Sequence, residues 1–471
     1  MFALFVSPIW AFAEEMSAGG SSSCGQDSSD AALWRIVQDF ARDDGPDPAP
    51  SATAALGRAL FFDRRLSRNG EVSCASCHVP ELGFTDGRVV GEGLSQVEKN
   101  TPTLLNVYRG GWLFWDGRAD SLESQALQPL ENPREHGFTR TEVVNLLVRH
   151  YRDAYESVFG PLPKRLVGAV PLSAAMPPGT RIDVSANMLD YGLATLGDLT
   201  VFNGIIAAAS AAGERPSAYV LGHYINAQVP QSTHSLGAAW TALPKATRQA
   251  VDQVYVDVGR AIAAFERGLV ANGSPFDRFS RGWKADCDPE SAFVDGFGRR
   301  ELAGLRLFAG PGQCLLCHNG PGFSDGQFHN IGLPDRDRRP DYGRTAGVPR
   351  VLADPFNCRS EYYRGETRIT ESETCREAGF LDSENPEMLG AFKTPTLRNL
   401  ALTAPYTHDG RFASLREVLL YYNALDATPA IGHTEETLKP LKFDEQQLAD
   451  LEAFLLSLSS PAAAVLAEIR P

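Results

Sequence analysis

Two short motifs carry the strongest chemical signal in this chain of 471 residues. Residues 74–78 read CASCH and residues 314–318 read CLLCH, and both have the C-x-x-C-H spacing of covalent c-type haem attachment. The two thiols of such a motif can form thioethers with one porphyrin, and the histidine that follows can ligate the iron. A zinc site would need a second C-x-x-C pair nearby, and a redox dithiol does not need the histidine. The motifs therefore predict two covalent haems, with attachment at Cys74, Cys77, Cys314 and Cys317 and iron ligands His78 and His318.

The composition sets the broad class of the protein. A hydrophobic fraction of 43% with 22% charged residues allows a packed core, and the net charge of −14 argues against a nucleic-acid binder. The sequence contains no run of 18 or more apolar residues, so no transmembrane span is expected. Eight cysteines are too few for a disulfide scaffold in a chain of this length, and five methionines leave few candidates for a methionine haem ligand.

The N-terminal region has the features of a secretion signal. Residues 2–13 are largely apolar and end in a small-x-small cleavage pattern, although an apolar terminus without a targeting role is the alternative. Residues 17–29 are rich in Ser and Gly, as in a flexible leader. Cys24 lies in this leader, where it carries a lipid anchor, forms half of a disulfide or stays a free thiol. With the covalent haems, the leader predicts a periplasmic protein.

The flanks of the two haem motifs form an internal repeat of four matched segments in the same order. A repeat of this kind predicts a mainly α-helical chain with two related cytochrome-c-like haem domains. The matched segments are LGRALFF 56–62 with AGLRLF 303–308, GFTDG 83–87 with GFSDG 322–326, TPTLLN 101–106 with TPTLRN 394–399, and WDGRADSL 115–122 with HDGRFASL 408–415.

The repeat predicts different ligands for the two irons. In the second half a helical pattern follows residues 408–411 and ends in Tyr421 and Tyr422, and Tyr422 corresponds to Pro129 in the first half. Tyrosine can ligate a haem iron, whereas proline cannot. The second haem is therefore predicted to have a side-chain ligand, Tyr422, with Tyr421 and His408 as rivals. The first haem is predicted to keep an open site where peroxide or oxygen binds.

Several of these motifs resemble those of a known family. The two haem motifs, NTPT at 100–103, WDGR at 115–118 and YTHDGR at 406–411 resemble the bacterial di-haem cytochrome c peroxidase superfamily, in particular its MauG-like branch. The resemblance covers roughly residues 54–160 and 245–460. It implies a mainly α-helical periplasmic enzyme with a peroxidatic first haem, an electron-transferring second haem and a calcium ion between them.

The resemblance also implies roles for individual residues. Trp115 matches the tryptophan that relays electrons or holes between the haems. Gln125 matches the distal glutamine and Glu135 the catalytic glutamate of the first haem, since a carboxylate over the iron can move the proton that peroxide cleavage requires. Without the family, Glu135 reads as a solvated loop residue and Trp115 as a core aromatic. The implied calcium ligands are Asn100, Thr403 and Pro405.

Two departures favour the MauG-like branch over typical peroxidases of the family. Tyr422 stands where typical members carry a methionine, and Met388, the only methionine in the second haem half, is misplaced for that role. Typical members also carry a removable histidine ligand in the loop after the first haem motif. Residues 89–100 contain no histidine, and Leu94 occupies about that position. The first site is therefore predicted to be open without prior reduction.

The remaining cysteines lie outside the haem motifs. Cys358 and Cys375 are seventeen residues apart in a polar loop, and a disulfide between them is expected in a periplasmic protein. Cys287 either pairs with Cys24 or stays free.

The predicted domain organisation combines the repeat with the segments that it leaves out. Residues 161–245 have no counterpart in the family, and they read either as cover for a substrate route or partner site or as an added structural lobe. The predicted units are a leader at 1–30, haem domain 1 at 31–160, the insertion at 161–245, a helical connection at 246–285 that packs on haem domain 1, and haem domain 2 at 286–471, whose C-terminal helix either stays there or returns to domain 1.

Three functions fit these residues. The first, which both departures favour, is an H2O2-dependent oxidase or peroxidase of MauG type that acts on a protein or small-molecule reductant through long-range electron transfer. The second is a scavenging cytochrome c peroxidase fed by a small cytochrome or a cupredoxin. The third is a non-enzymatic di-haem electron carrier, which would need two six-coordinate irons and is disfavoured by the missing ligand in the first half.

Overall fold

The structure, a computed structural model, covers most of the two haem halves. The predicted leader with Cys24, the predicted insertion over residues 167–239, and Cys287 lie outside the described residues. Within the described part of the chain, no helix combines the length and the apolarity needed to cross a bilayer. The described residues are 29–42, 45, 51–166, 240, 243–284, 288–334, 341–363, 369–382, 385–429 and 431–461.

The described residues form a mainly α-helical structure, which confirms the mainly α-helical part of the predicted fold class. A two-stranded antiparallel sheet pairs β1 (Phe328–His329) with β2 (Phe392–Lys393). The α-helices are α1 (Ser29–Ala41), α2 (Ser51–Phe61), α3 (Cys74–Cys77), α4 (Leu122–Glu131), α5 (Arg140–His150), α6 (Arg152–Phe159), α7 (Lys245–Arg267), α8 (Pro275–Gly282), α9 (Arg299–Ala309), α10 (Arg344–Ala353), α11 (Ile369–Ala378), α12 (Leu415–Ala424) and α13 (Glu445–Leu456). Short 3-10 helices lie at Arg64–Leu66, Pro80–Leu82, Val107–Arg109, Lys164–Leu166, Pro289–Ala292, Cys314–Leu316, Pro386–Met388 and Leu400–Leu402.

The helix starts follow local sequence chemistry. The Asp444 carboxylate accepts from the backbone N–H of Gln447 at 2.9 Å, and the Gln447 side chain accepts from the backbone N–H of Asp444 at 3.0 Å. This reciprocal capping box satisfies two amide groups that a helix start leaves without partners. Ser121 and Ser414 cap α4 and α12 through their hydroxyls. Helix α4 carries the predicted distal glutamine and helix α12 the predicted tyrosine ligand, and these caps set where the two helices begin.

Helix α7 forms the centre of a first hydrophobic core, packed along α2 and against α4 and α5. Its residues Val254, Val258 and Ile262, which share one face of the helix, are completely buried. A Cβ at Gly57 would lie only 1.7 Å from the carbonyl oxygen of Ala261, so α2 and α7 touch backbone to backbone. The first part of the predicted connection at 246–285 therefore belongs to the core of the first haem half.

Helix α13 has the corresponding position in a second hydrophobic core, where it packs along α9. A Cβ at Gly304 would lie 2.0 Å from the carbonyl oxygen of Asp450, so these two helices also meet backbone to backbone. The C-terminal helix thus packs within the second half, and the alternative in which it returns to the first half does not occur.

Two helices lie in a different core from the one predicted. Helix α1, placed by the sequence prediction in haem domain 1, packs in the second core, where Phe40 stacks on Phe323 with ring centroids 4.1 Å apart. Helix α8, in the predicted connection, buries Phe276 and Phe279 in the same core. Helices α1 and α8 therefore belong with the second core, and not with the predicted units 31–160 and 246–285 in which they lie. Local pattern identifies an apolar helix face but not the core that receives it.

The two halves share local geometry at corresponding positions of the repeat. An isolated β-bridge joins Leu113 to Ala119 in the first half, and another joins Tyr406 to Phe412 in the second. Each bridge leads into a serine-capped helix, α4 or α12. Each haem motif follows a helix that packs on a long partner, α2 on α7 and α9 on α13. The two halves therefore present their haem motifs on similarly built supports.

Candidate functional site

A cavity of about 920 Å³ extends through both halves of the molecule. Its volume lies near the upper end of the roughly 300–1,000 Å³ typical of small-molecule and cofactor sites. Cys74 lies close by, with its Sγ atom 4.0 Å from Nε2 of the buried His136. The other residues predicted to bind haem, calcium or peroxide all line this cavity: Cys77, His78, Asn100, Trp115, Gln125, Glu135, Cys314, Cys317, His318, Thr403, Pro405 and Tyr422.

The two proximal histidines are oriented in the same way. Nδ1 of His78 lies 3.0 Å from the carbonyl oxygen of Phe84, and Nδ1 of His318 lies 2.9 Å from that of Phe323. A carbonyl can only accept, so Nδ1 carries the proton and Nε2 is the nitrogen with a lone pair that can bind a metal. Burial lowers the pKa of both histidines and favours the neutral, ligating form. These donors, next to two thiols each and facing one cavity, fit a c-type haem at each motif.

Two side chains of the first half carry unusual polar groups into the cavity. Oε1 of Gln125 is buried and has no hydrogen-bond partner within the described residues. Oε1 of Glu135 accepts from Nδ2 of Asn132 at 2.6 Å. Burial raises the pKa of Glu135, and the nearby charge of Arg118 opposes that rise. A carboxyl group with a raised pKa is suited to both accepting and returning a proton.

The loop after the first haem motif is docked on the segment that carries Glu135. The backbone N–H of Leu94 donates to the carbonyl of Glu135 at 3.0 Å, and that of Ser95 donates to the carbonyl of Arg134 at 3.0 Å. Leu94 is buried, at 8% exposure. The loop therefore places an apolar residue where a removable ligand was considered, and its backbone supports the position of Glu135.

The structure separates the three ligand candidates for the second haem. The Tyr421 hydroxyl donates to the carbonyl of Ile331 at 2.7 Å. The Tyr422 ring lines the cavity, and burial raises the pKa of its hydroxyl, with a further contribution from the adjacent cysteines of the second motif. His408 stacks on Phe392 with ring centroids 3.6 Å apart. Of the two tyrosines, Tyr422 is the one for which the described residues show no hydrogen bond from the hydroxyl. It also lies beside the cysteines of the second motif.

Trp115 lines the cavity and is held by residues from both halves. Its indole Nε1 donates to the carbonyl of Asn100 at 2.9 Å, and its own carbonyl accepts from the backbone N–H of Lys393 at 2.9 Å. The backbone N–H of Asn100 in turn donates to the carbonyl of His408 at 2.8 Å. The ring centroids of Trp115 and His408 are 6.4 Å apart. The indole is therefore fixed at the junction of the two halves.

The three predicted calcium ligands face the same cavity although they come from opposite halves. Nδ2 of Asn100 donates to the carbonyl of Arg88 at 2.9 Å, which leaves its Oδ1 to act as an acceptor. Thr403 and Pro405 also line the cavity. Amide and carbonyl oxygens are ligands that Ca²⁺ prefers.

A second cluster of metal-ligating type lies at the second haem motif. The ligand atoms of Cys317, Asp325 and His329 lie within 4.8 Å of one another. His329 bridges two carboxylates, with Nε2 2.9 Å from Asp325 and Nδ1 3.0 Å from Glu435. Hydrogen bonding to Asp325 is the main cause that raises its pKa to about 11. Because haem attachment uses the Cys317 sulfur, we assign this trio to the haem site.

Sequence reasoning did not single out two cations that line the cavity. Arg118 lies over the Phe114 ring, 3.5 Å from its centroid, and pairs with Asp116 at 3.0 Å. Lys393 is buried, which lowers its pKa to about 8. Arg118 belongs to the repeated Asp-Gly-Arg motif, and that recurrence was the available signal for it. Lys393 directly precedes the repeated Thr-Pro-Thr-Leu segment and corresponds to Asn100 in the first half, so the repeat did not mark it.

The disulfide expected between Cys358 and Cys375 is present, with an S–S distance of 2.09 Å. It lies away from the cavity, in a small core with Trp112 and Phe328. The backbone N–H of Cys358 donates to the carboxylate of Asp120 at 3.0 Å. The bridge therefore supports the residues around the first haem half without facing either haem motif.

Comparisons with known proteins show which proteins this chain resembles. Residues 51–176 match the sequence model of the family described as di-haem cytochrome c peroxidase. Cytochrome-c peroxidase IdrP1 of Denitromonas iodatirespirans is 29% identical over 421 residues, which cover 88% of this chain and 82% of that protein. Methylamine utilization protein MauG of Methylorubrum extorquens is 28% identical over 460 residues, which cover 95% and 91% of the two chains. The predicted resemblance is thereby confirmed.

A solved structure shows the same fold. The diheme peroxidase BthA from Burkholderia thailandensis superposes with a TM-score of 0.53 at 18% identity, over 89% of this chain and 90% of that one. Similarity to this family implies two c-type haems. The chain is therefore similar to di-haem cytochrome c peroxidases and MauG over most of its length, and it is a haem peroxidase-type oxidoreductase.

Proposed function

We propose that this protein is a periplasmic MauG-like oxidase or peroxidase that reduces H2O2 at an open first haem. The oxidising equivalents would pass through Trp115 to a second haem, which His318 and Tyr422 would hold, and from there to a protein or small-molecule reductant. The observation that carries this proposal is the shared cavity, in which both haem motifs, Trp115 and Tyr422 are brought together. The coarser activity, that of a di-haem peroxidase, follows from the family.

The residues of the first half are arranged to handle the protons of peroxide reduction. When bound, the first haem supplies the iron at which the O–O bond is cleaved and from which two electrons are drawn. Reduction of H2O2 to two waters also consumes two protons. The Glu135 carboxylate accepts the proton from the oxygen nearer the iron and returns it to the departing oxygen. Oε1 of Gln125, which has no partner among the described residues, accepts a hydrogen bond from the peroxide and orients it.

Pro129 and Leu94 support an open first site. Pro129 lines the cavity at the position that corresponds to Tyr422, and it has no ligating atom in its side chain. Leu94 is held on the backbone of Glu135 and is apolar. With neither residue able to bind iron, H2O2 gains access without prior reduction of the protein.

Tyr422 sets the electronic character of the second site. A phenolate is a hard anionic donor that favours the higher oxidation states of iron and lowers the reduction potential. Such a site is a poor acceptor from ordinary cytochromes and is better suited to sharing an oxidising equivalent through Trp115. The indole proton of Trp115 is directed at the carbonyl of Asn100, which can accept a hydrogen bond but is not a base. Trp115 therefore keeps its proton while it relays charge.

We also propose that the two haem halves arose by duplication and that a calcium ion lies between them, held by Asn100, Thr403 and Pro405. The matched β-bridges and helix pairs support the duplication. The calcium ion would join the loop at Asn100 to the loop at residues 403–405, next to Trp115.

A scavenging cytochrome c peroxidase, fed by a small cytochrome or a cupredoxin, is the second candidate. Relatives described as cytochrome-c peroxidase favour it, such as IdrP1 and the cytochrome c551 peroxidase of Nitrosomonas europaea, which is 26% identical over 419 residues. The two candidates differ in the second haem. A scavenger needs a site that accepts electrons readily, whereas a tyrosinate ligand disfavours the reduced state.

EPR and optical spectroscopy of the fully ferric protein, before and after one equivalent of H2O2, test the proposal. We expect one high-spin five-coordinate haem and one low-spin haem, both of which change on addition of H2O2 without prior reduction. A requirement for pre-reduction, or a spectrum with two six-coordinate haems, would contradict the proposal and favour the scavenger or the electron carrier. Trp115→Phe should slow the change at the second haem and leave the first unchanged.

A further inference from the structure

Arg344, the first residue of α10, is a buried cation near the centre of the molecule. Its exposed fraction is 2%, and its guanidinium carbon lies 4.0 Å from the ring centroid of Trp112 and 4.2 Å from that of Phe328. Within the described residues, no carboxylate accepts a hydrogen bond from it. A buried charge is unfavourable unless its surroundings compensate for it. Here two aromatic faces and backbone carbonyls contact the guanidinium, and the nearby charges of Asp116, Glu377 and Asp120 favour its charged form. The question is therefore which part of the structure this buried guanidinium holds in place.

The guanidinium is directed at the loop that carries Trp115. Its Nη1 donates to the carbonyl of Asp116 at 3.3 Å and to the carbonyl of Gly117. The carbonyl of Trp115 itself accepts from the backbone N–H of Lys393 at 2.9 Å. Three consecutive carbonyls, those of residues 115–117, are therefore held by groups from the second half of the chain.

Close packing leaves this loop little room to move. A Cβ at Gly117, which has a φ of +65°, would lie 2.3 Å from the Phe328 ring and 2.4 Å from Nη1 of Arg344. A Cβ at Gly347 in α10 would lie 1.9 Å from the carbonyl oxygen of Asp116. The helix and the loop thus meet backbone to backbone, with the guanidinium as the polar link between them.

We propose that Arg344 is a positioning residue for electron relay, which fixes the Trp115 indole between the two haem sites. This inference rests on the relay role proposed above for Trp115. Arg344 is not among the residues that line the cavity. It therefore acts through the backbone of residues 115–117 and not on a haem or on peroxide.

A double-mutant cycle on the haem-loaded protein tests this inference. The variants are Arg344→Met, Trp115→Phe and the two combined, and the readout is the rate of the absorbance change at the second haem after mixing with one equivalent of H2O2. Arg344→Met is expected to slow that rate about 100-fold, the loss typical of a reacting group misplaced by about 1 Å. The double variant should be no slower than Trp115→Phe alone, because Arg344 acts through that side chain. The spectrum of the first haem and its reaction with H2O2 should not change.

Arg140→Met is the control for loss of a buried arginine. Arg140 is 3% exposed and lies over the rings of Tyr255 and Phe356. Unlike Arg344 it pairs with Glu131 and Asp252, and its described contacts do not include residues 115–117. This variant is expected to lower Tm and leave the relay rate unchanged. If Arg344→Met fails to retain both haems, Phe328→Leu is the milder variant, because it removes one of the two aromatic rings that contact the Arg344 guanidinium. It should slow the relay to a smaller extent, and only where Trp115 is present.

The outcomes separate the inference from the proposed function. An unchanged rate in Arg344→Met, or multiplicative slowing in the double variant, would overturn the positioning role and leave the relay intact. Slowing in Arg140→Met equal to that in Arg344→Met would do the same. An unchanged rate in Trp115→Phe would overturn the relay itself, and with it the role of Arg344.

Discussion

Phenylalanine substitutions at Tyr422 and at Tyr421 distinguish the proposed ligand of the second haem from its neighbour. The Tyr421 hydroxyl donates to the carbonyl of Ile331 at 2.7 Å. Loss of one such hydrogen bond costs about 1 kcal/mol, so Tyr421→Phe is expected to lower Tm by about 2–4 °C with an unchanged haem spectrum. Tyr422→Phe removes the proposed ligand, while His318 and the thioethers retain the haem. In EPR, one low-spin haem per chain should therefore become high-spin.

The pH dependence of that signal gives a second readout. Burial raises the pKa of Tyr422 above its ordinary value. The phenol must lose its proton to bind iron, so protonation competes with ligation as the pH falls. The low-spin signal of the unmodified protein is expected to decrease on acidification, and Tyr422→Phe should lack this transition.

Two outcomes would contradict the assignment of Tyr422 as the ligand of the second haem. A low-spin signal that survives in Tyr422→Phe but is lost in Tyr421→Phe would refute the assignment. Loss confined to His408→Ala would transfer the ligand to His408.

Three further predictions concern proton transfer, packing and calcium. Glu135→Gln should slow the reaction with H2O2 by about 10²–10⁴-fold. Burial raises the pKa of Glu135, and the carboxylate is the form that accepts a proton, so stopped-flow rates of the unmodified protein should fall as the pH drops through that raised pKa. The same fall at low pH in Glu135→Gln would contradict this role. In Gly117→Ala the new Cβ would lie 2.3 Å from the Phe328 ring, whereas Gly70, with a similar φ of +72°, has no atom within 4 Å of such a Cβ. Chemical unfolding should therefore show a free energy of unfolding lowered by about 1–3 kcal/mol more in Gly117→Ala than in Gly70→Ala. Equal losses would show that the contact is relieved easily. A calcium chelator should lower Tm in the unmodified protein but not further in Asn100→Ala, and an unmodified protein that does not respond would argue against the calcium site.

The haem sites could be predicted from sequence because their chemistry is local. The thiols and the histidine of each motif lie within five residues, and the carbonyl that orients each histidine follows within six: Phe84 after His78 and Phe323 after His318. The mainly helical class and the disulfide between Cys358 and Cys375 also followed from pattern and spacing. The repeat allowed one half to interpret the other, which is how Tyr422 was set against Pro129.

Tertiary structure alone decided between neighbours and between cores. Successive helix residues point about 100° apart. Tyr421 and Tyr422 both line the cavity, and the sequence does not show that the Tyr421 hydroxyl is engaged by the carbonyl of Ile331. Helix α1 carries an apolar face that either core could have received. Arg344 is far from Trp115 in sequence and reaches it only after the chain folds back on itself. Contacts between distant segments depend on how helices are placed, and no local pattern records that placement.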